Sequence, residues 1–371
     1  MFLAFLSRLE LRLLLLFFLF ALLIGCSSKT SPIQHISKTP APPSRITEPP
    51  VPPNRITEFP VPISNNYTRV GGITTGPDGN LWFTQLGVVW RMSPNGNFTK
   101  FSIASSMPVG NSYSNSSEQG GAITVGPDGN LWLVQGDEKI ERITPKGTIT
   151  EFPLSTAAYF EPDSITAGPD GNLWVTYQIS NEIGRISTSG AVTLFPLPPS
   201  LSAPDGIMAG PDGNLWFTLG GGQDQIGRIT PNGIITIFSF PGTLGSAIDS
   251  LTVGPHGNIW FTNANDNIIG RFNPTNPEQT VIKFPLPASD NGSPGHPGGT
   301  PVGIIMGPDG NIWFTEFYGP KIGRIDTNGT IIEFLLPTVV EEPATIIVGP
   351  DHNLWFTEGN TYKIGHITIG K

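Results

Sequence analysis

The chain holds a single cysteine, Cys26, in 371 residues. Disulfides within the chain are therefore excluded, and so is any zinc site built on cysteine spacing. Charge is scarce: Asp, Glu, Lys and Arg make up 13% of the residues, with 20 Lys+Arg against 29 Asp+Glu. An acidic balance argues against nucleic acid and against anionic lipid headgroups as partners. Histidine is rare, at five residues, and no HExxH, GxSxG, phosphate-loop or zinc-type spacing occurs. No organic cofactor is expected. What the chain has in quantity is Gly (45) and Pro (38), which at this low charge fits a turn-dense β protein.

Those turns recur on a fixed phrase. GPDGNLWFT or a close variant begins at residues 76, 126, 168, 210, 254, 307 and 349. Self-similarity at about 40–50 residues marks a propeller or a solenoid. Each copy is followed by a phrase such as IGRITPNG (226–233) and another such as ITEFPLS (149–155). One unit reads as four short strands, the content of one propeller blade. In GPDGN the Pro presets φ at the first corner, Asp tolerates the second, and Gly supplies the positive φ. In LWFT, Leu81 and Phe83 share one face while Trp82 and Thr84 share the other, so the strand is expected to be buried on both sides. Seven of the eight tryptophans occupy this slot and are expected to pack between blades.

The seventh unit ends at KIGHITIGK without its ITEFP strand, and an unpartnered NRITEFPVP (54–62) precedes the first unit. The expected fold is all-β: a seven-bladed β-propeller of four-stranded blades, closed by an N-terminal strand that completes the last blade. SRITEPPVP (44–52) carries Pro49 where the other copy has Phe59, and is expected to be an unpaired spare.

Residues 1–25 place Arg8 and Arg12 before an apolar run that ends at Cys26. Leu23-Ile24-Gly25-Cys26 resembles the bacterial lipoprotein signal, which implies a lipidated Cys26 after cleavage. Residues 26–53, rich in Pro, Ser and Thr, read as a semi-extended tether of roughly 80 Å at about 3.1 Å per residue. The expected location is extracytoplasmic, lipid-anchored to a bacterial membrane, with residues 54–371 as a monomeric propeller.

Residues that recur in every unit read as scaffold. The third strands carry Arg91, Arg142, Arg185, Arg228, Arg271 and Arg324, with His366 in the last, so a repeated pairing role is expected. Asymmetry is where a site is sought, and it appears where the chain enters each innermost strand. The third entry residues are Gly71, Gly121, Asp163, Asp205, Asp249, Val302 and Ala344. Three successive blades thus set an Asp at one height, with Glu161 and Glu342 two residues earlier in units three and seven. Carboxylates converging on a mouth call for a compensating cation. Asp163, Asp205, Asp249 and Glu161 are the candidate oxygen ligands for Mg²⁺ or Ca²⁺. The alternative is that each Asp bonds to its own turn. Loops at the same mouth add Tyr177, Glu182, Asp224, Asp266, Glu316 and Tyr318 as candidate ligand contacts, and a long loop (288–300) carries His296.

The GPDGNLWFTE and IGRITPxGxITEFPLP phrases resemble those of the virginiamycin B lyase (streptogramin lyase) family over residues 54–371. That resemblance implies a seven-bladed propeller and a Mg²⁺-assisted elimination that opens the lactone of type B streptogramins, with histidine as general acid/base. The family's histidines fall at the third entry position of the last two blades, which here are Val302 in TPVGII and Ala344 in EPATII. The tyrosine it implies at the first entry is Gly71. Glu342 retains the Glu of the Glu-Pro-His phrase, and Glu358 approximates a further acidic position. Glu342, Glu358 and His296 are the residues left to carry catalysis. Two functions follow as expectations. One is a membrane-tethered binder of a small molecule, peptide or glycan at an acidic mouth. The other is a diverged lyase or metal-assisted lactone hydrolase.

Overall fold

The structure is a computed structural model that describes residues 56–62, 69–103, 121–134, 139–154, 162–199, 203–220, 225–240, 248–287, 299–338, 342–359 and 361–369. The chain separates into Met1–Ala41 and Pro42–Lys371, and every described residue lies in the second unit. The expected signal, Cys26, the expected tether and the 44–52 copy lie outside the described residues. Among those residues, no helix is long and apolar enough to cross a membrane.

Pro42–Lys371 folds into seven antiparallel sheets of four strands each. Six sheets are built from consecutive strands, for example Val70–Thr75, Leu81–Gln85, Val88–Met92 and Phe98–Ser102 in blade one. The seventh takes Pro343–Val348, Leu354–Glu358 and Lys363–Ile367 from the C-terminal end, and its outer strand is Ile56–Pro60. Ile56 pairs with Ile367 and Phe59 with Ile364, so the expected clasp is present in the register its sequence implies. Each innermost strand packs on the next, and Pro343–Val348 of blade seven packs back on Val70–Thr75 of blade one, which closes the ring.

The repeated phrase is buried as its two-sided pattern requires. All seven LWFT-type tryptophans are at most 2% exposed. Each stacks on the Phe of its blade's outer strand at 5.1–5.8 Å between ring centroids. In blade seven that Phe is Phe59 of the clasp, at 5.5 Å from Trp355. Phe59 also lies against Gly96 in the outer turn of blade one, where its ring crowds the place of a Cβ and φ is +84°. One aromatic ring therefore completes blade seven and contacts blade one.

The turn Asp does more than shape a corner. In six blades its Oδ1 accepts the indole N–H of the Trp four residues on, at 2.9–3.0 Å. Its Oδ2 accepts from the following Asn amide at 2.8–2.9 Å. The strand-three Arg lies over the same Trp ring, 5.3–6.0 Å from its centroid, a cation–π contact. Arg91, Arg142, Arg185 and Arg271 also donate to a backbone carbonyl of the next blade. His366 fills the slot in blade seven with a 3.0 Å contact to Asp351 and a 4.3 Å ring contact to Trp355.

Candidate functional site

The inner strands all enter at one end of the ring. In blade three, Pro162 pairs with Tyr177, Tyr177 with Glu182 and Glu182 with Pro196. Entry segment and second-to-third loop therefore share that mouth. At the third entry position the ladder breaks: the register shifts between Pro162 and Ile165, Pro204 and Ile207, Val70 and Ile73, Pro301 and Ile304, and Pro343 and Ile346. A β-bulge re-aims the side chain it carries. Five blades thus use one device to present Asp163, Asp205, Gly71, Val302 and Ala344.

The Thr of LWFT holds these bulges in place. Thr176, Thr218, Thr262, Thr315 and Thr357 are fully buried, and each accepts the N–H of the fourth entry residue of its own blade at 2.9–3.2 Å. Thr262 donates onward to the Val302 carbonyl and Thr315 to the Ala344 carbonyl, both at 2.7 Å. Thr84 likewise donates to the Gly121 carbonyl. The rim is thereby sewn from blade to blade through the backbone of the site position itself. Gly303 is required there, because a Cβ would run into the Ala344 carbonyl.

The three Asp residues do not share one environment. Asp163 Oδ2 accepts the N–H of Gln178 at 2.8 Å, and Asp249 Oδ2 accepts the N–H of Ala264 at 2.6 Å. Both cap the end of their own blade's second strand. In blade four the corresponding N–H, that of Gly220, is taken by the Ala203 carbonyl at 2.8 Å. Asp205 is thus left facing the mouth, water-exposed yet deep among protein atoms. That confinement raises its pKa. Burial pushes Asp249 up to about 6, with the Ala264 N–H opposing and the Asp205 charge adding to the rise. Asp205 and Asp249 hold the same entry position on adjacent blades, near enough for the Asp205 charge to act on Asp249.

The other candidates divide. Tyr177, expected on the rim, is 1% exposed and packs in the seam against Gly184. Glu316 and Glu358 are fully buried. Glu316 sits beside Gly299, with Lys321 Nζ at 4.0 Å. Burial raises its pKa to about 8; the Glu333 charge adds to this and Lys321 opposes it. Glu358 accepts from the Thr361 hydroxyl at 3.2 Å. Glu342 pairs with Arg69 at 3.2 Å on the seam between blades seven and one. Asp266 closes its own loop by exchanging hydrogen bonds with Asn263. Glu182 opens the third strand of blade three, and Tyr318 is 38% exposed on the rim against Phe317. Glu161, Asp224 and His296 lie outside the described residues.

Among the described residues, no three Asp, Glu, His or Cys side chains gather closely enough to hold a metal ion. Of the four residues expected to ligate a metal, Asp163 and Asp249 are turned to backbone donors, Asp205 is not, and Glu161 lies outside the described residues. Val302 and Ala344 offer no ligand, and the buried Glu358 is engaged by Thr361. Among the described residues, these positions supply no ligand set that fits the Mg²⁺ the resemblance implies. No described histidine reaches the mouth: His256 and His352 occupy turns at the opposite end, and His366 pairs with Asp351 there.

Solved structures resemble this one closely. A streptogramin B lyase structure is 29% identical with a TM-score of 0.71, covering 85% of this chain and 97% of that one. A catalytically inactive histidine-to-alanine variant of virginiamycin B lyase from Staphylococcus aureus with quinupristin is 30% identical with a TM-score of 0.72, covering 85% of this chain and all of that one. The extracellular domain of a hybrid two-component system from B. thetaiotaomicron, 16% identical with a TM-score of 0.60, covers 82% of this chain and 40% of that one and shares the fold alone. No curated protein matches. The virginiamycin B lyase family description matches residues 111–371. With seven blades, a clasped ring and that match over most of its length, the chain belongs to the virginiamycin B lyase family.

Proposed function

We propose that the protein binds a small ligand carrying a cationic group at the acidic mouth, with Asp205 and Asp249 as the charged contacts. The observation that carries this reading is the confined carboxyl pair on adjacent blades. Two like charges in a concave site cost free energy, and a bound ammonium or guanidinium relieves that cost. The exposed Ile179 and Tyr318 flank the pair on blades three and six and supply apolar contact for the rest of such a ligand. The lipoprotein-like Leu23-Ile24-Gly25-Cys26 supports a tether that holds the propeller outside the cytoplasm on a bacterial membrane.

Calorimetric titration with 2-phenylethylammonium tests the binding claim. Binding is expected at pH 7.5, weaker at pH 5 where Asp249 takes up a proton, and lost in the Asp205→Asn/Asp249→Asn protein. Equal affinity in wild type and double variant would refute the site.

A second reading is favoured by Asp249, whose pKa of about 6 suits a general base near neutral pH. In that reading a carboxylate takes the family's histidine role, and Asp249 removes the proton adjacent to the lactone ester as the ring oxygen leaves. Its signature is turnover of a type B streptogramin that vanishes in Asp249→Asn.

A further inference from the structure

The ring carries six copies of one carboxylate site and one exception. In blades one, two, three, four, six and seven, the turn Asp presents its carboxylate to the buried Trp indole N–H, to the Asn backbone N–H at 3.2–3.3 Å and to the Asn side-chain amide. In blades one, two and four the strand-three Arg adds a contact to Oδ2 at 3.7 Å. Blade five has His256 in place of that Asp. There the Trp260 side chain is fully buried and its Nε1 has no hydrogen-bond partner among the described residues.

The rest of the receptor is kept. Trp260 lies against Gly254 as each sibling Trp lies against its own Gly, so the ring holds the same pose. Arg271 remains over the Trp260 ring at 5.3 Å. Its guanidinium is partly buried, which pulls its pKa down, and its carbonyl partner Thr327 does not neutralise it. Asn258 turns its amide to the Pro255 carbonyl at 3.3 Å, and its backbone N–H bonds the same carbonyl at 3.4 Å, weak replacements for a carboxylate. Around Gly254, the next neighbour after the Trp260 ring is the buried Ile312 Cδ1 of the next blade, whereas at the six sibling glycines it is the turn Asp Oδ1. His256 sits exposed above this at φ +62° and makes no hydrogen bond among the described residues.

The geometry points to a binding site for a small monocarboxylate in blade five, held by the Trp260 indole N–H, the Asn258 amide and the Arg271 guanidinium. The ligand takes the place of the turn Asp, with one oxygen toward Trp260 and the other toward Asn258 and Arg271. A carboxylate suits this set better than a halide, because the sibling sites divide their donors between two oxygens. The site lies at the end of the ring opposite the acidic mouth and is independent of the ligand proposed there.

Formate is the probe. The indole N–H cross-peaks of ¹⁵N-labelled protein are followed as sodium formate is raised at constant ionic strength against sodium chloride, with Trp260 assigned by Trp260→Phe. The Trp260 cross-peak is expected to shift saturably while those of the Asp-bonded tryptophans stay in place. His256→Asp supplies the carboxylate from the chain and is expected to abolish the response. Arg271→Met, which leaves the turn untouched, is expected to weaken it at least about tenfold. A Trp260 cross-peak that does not move, one that moves equally with chloride, or a response retained in Arg271→Met would overturn the assignment, whatever the folding of His256→Asp.

Discussion

Removing the Phe59 ring tests whether the clasp is as integral as any continuous strand. The ring stacks on Trp355 at 5.5 Å and an interplanar angle of 29°, and presses on Gly96 of blade one. Phe→Ala at a fully buried site costs about 3–5 kcal/mol. Phe59 keeps some exposure, which brings the expectation for Phe59→Ala to about 2–3 kcal/mol, including about 0.5–1.5 kcal/mol for the aromatic pair. The same stack within one continuous blade, Trp216 on Phe238 at 5.4 Å, provides the control. If the clasp is fully docked, Phe59→Ala and Phe238→Ala should lower the melting temperature alike, by roughly 3–5 °C for a domain of this size. Phe59→Pro, which reproduces Pro49 of the 44–52 sequence copy, should cost about 1 kcal/mol more. Val61 N–H bonds the Tyr362 carbonyl at 2.9 Å, and the two-residue period puts the Phe59 N–H in the same ladder. A Phe59→Ala protein melting within a degree of wild type, with Phe238→Ala clearly lower, would refute the reasoning.

Thr262→Val removes the acceptor for Ser250 N–H and the donor to the Val302 carbonyl, and should cost about 2–3 kcal/mol by chemical denaturation. For Glu58, burial favours the neutral form, but hydrogen bonds from Lys363 and Thr338 outweigh it and leave the pKa lowered. The stability Glu58 contributes is therefore present above about pH 4.5 and lost as pH falls through its folded value, so Glu58→Gln should flatten the acid limb of the melting profile. Asp249 has the opposite sign. Its folded pKa of about 6 exceeds the unfolded value, so the folded state binds more protons and loses stability as pH rises from about 4 to about 7. Asp249→Asn should match wild type at pH 4 and exceed it at pH 7.5, by at most about 3 kcal/mol and nearer 1–2 kcal/mol once water in the mouth is allowed for.

Much of this was legible in the chain. The spacing of GPDGNLWFT gave seven blades, and the misplaced NRITEFPVP gave the closure, because a missing and a surplus copy of one strand admit few pairings. The faces of LWFT placed the tryptophans. The same alternation, carried one residue further, puts Tyr177 and Glu316 on the face of Leu and Phe, inside the seam. Their loop-like chemistry had suggested the rim instead. The latch between Asp and Trp bridges a turn of four residues, and a repeated Asp already had a sufficient reason to be in that turn. Its second role shows where it is absent, at His256. The three mouth Asp residues looked equivalent because sequence spacing records height around the ring and not the donor each carboxyl meets. Gln178 and Ala264 offer an N–H, whereas Gly220 has given its own to Ala203.

The central claim is the proposal that the entry positions of this ring bind a cationic ligand, and its expectation is that they do not open a lactone. Mass spectrometry of the purified protein incubated with quinupristin, with and without Mg²⁺, tests it most directly, with the products separated by chromatography because elimination leaves the mass unchanged. The account predicts intact lactone after prolonged incubation in both conditions, since Val302 and Ala344 supply no proton acceptor. A ring-opened product of unchanged mass, formed by wild type and not by Asp249→Asn, would contradict it and assign the base to the acidic pair.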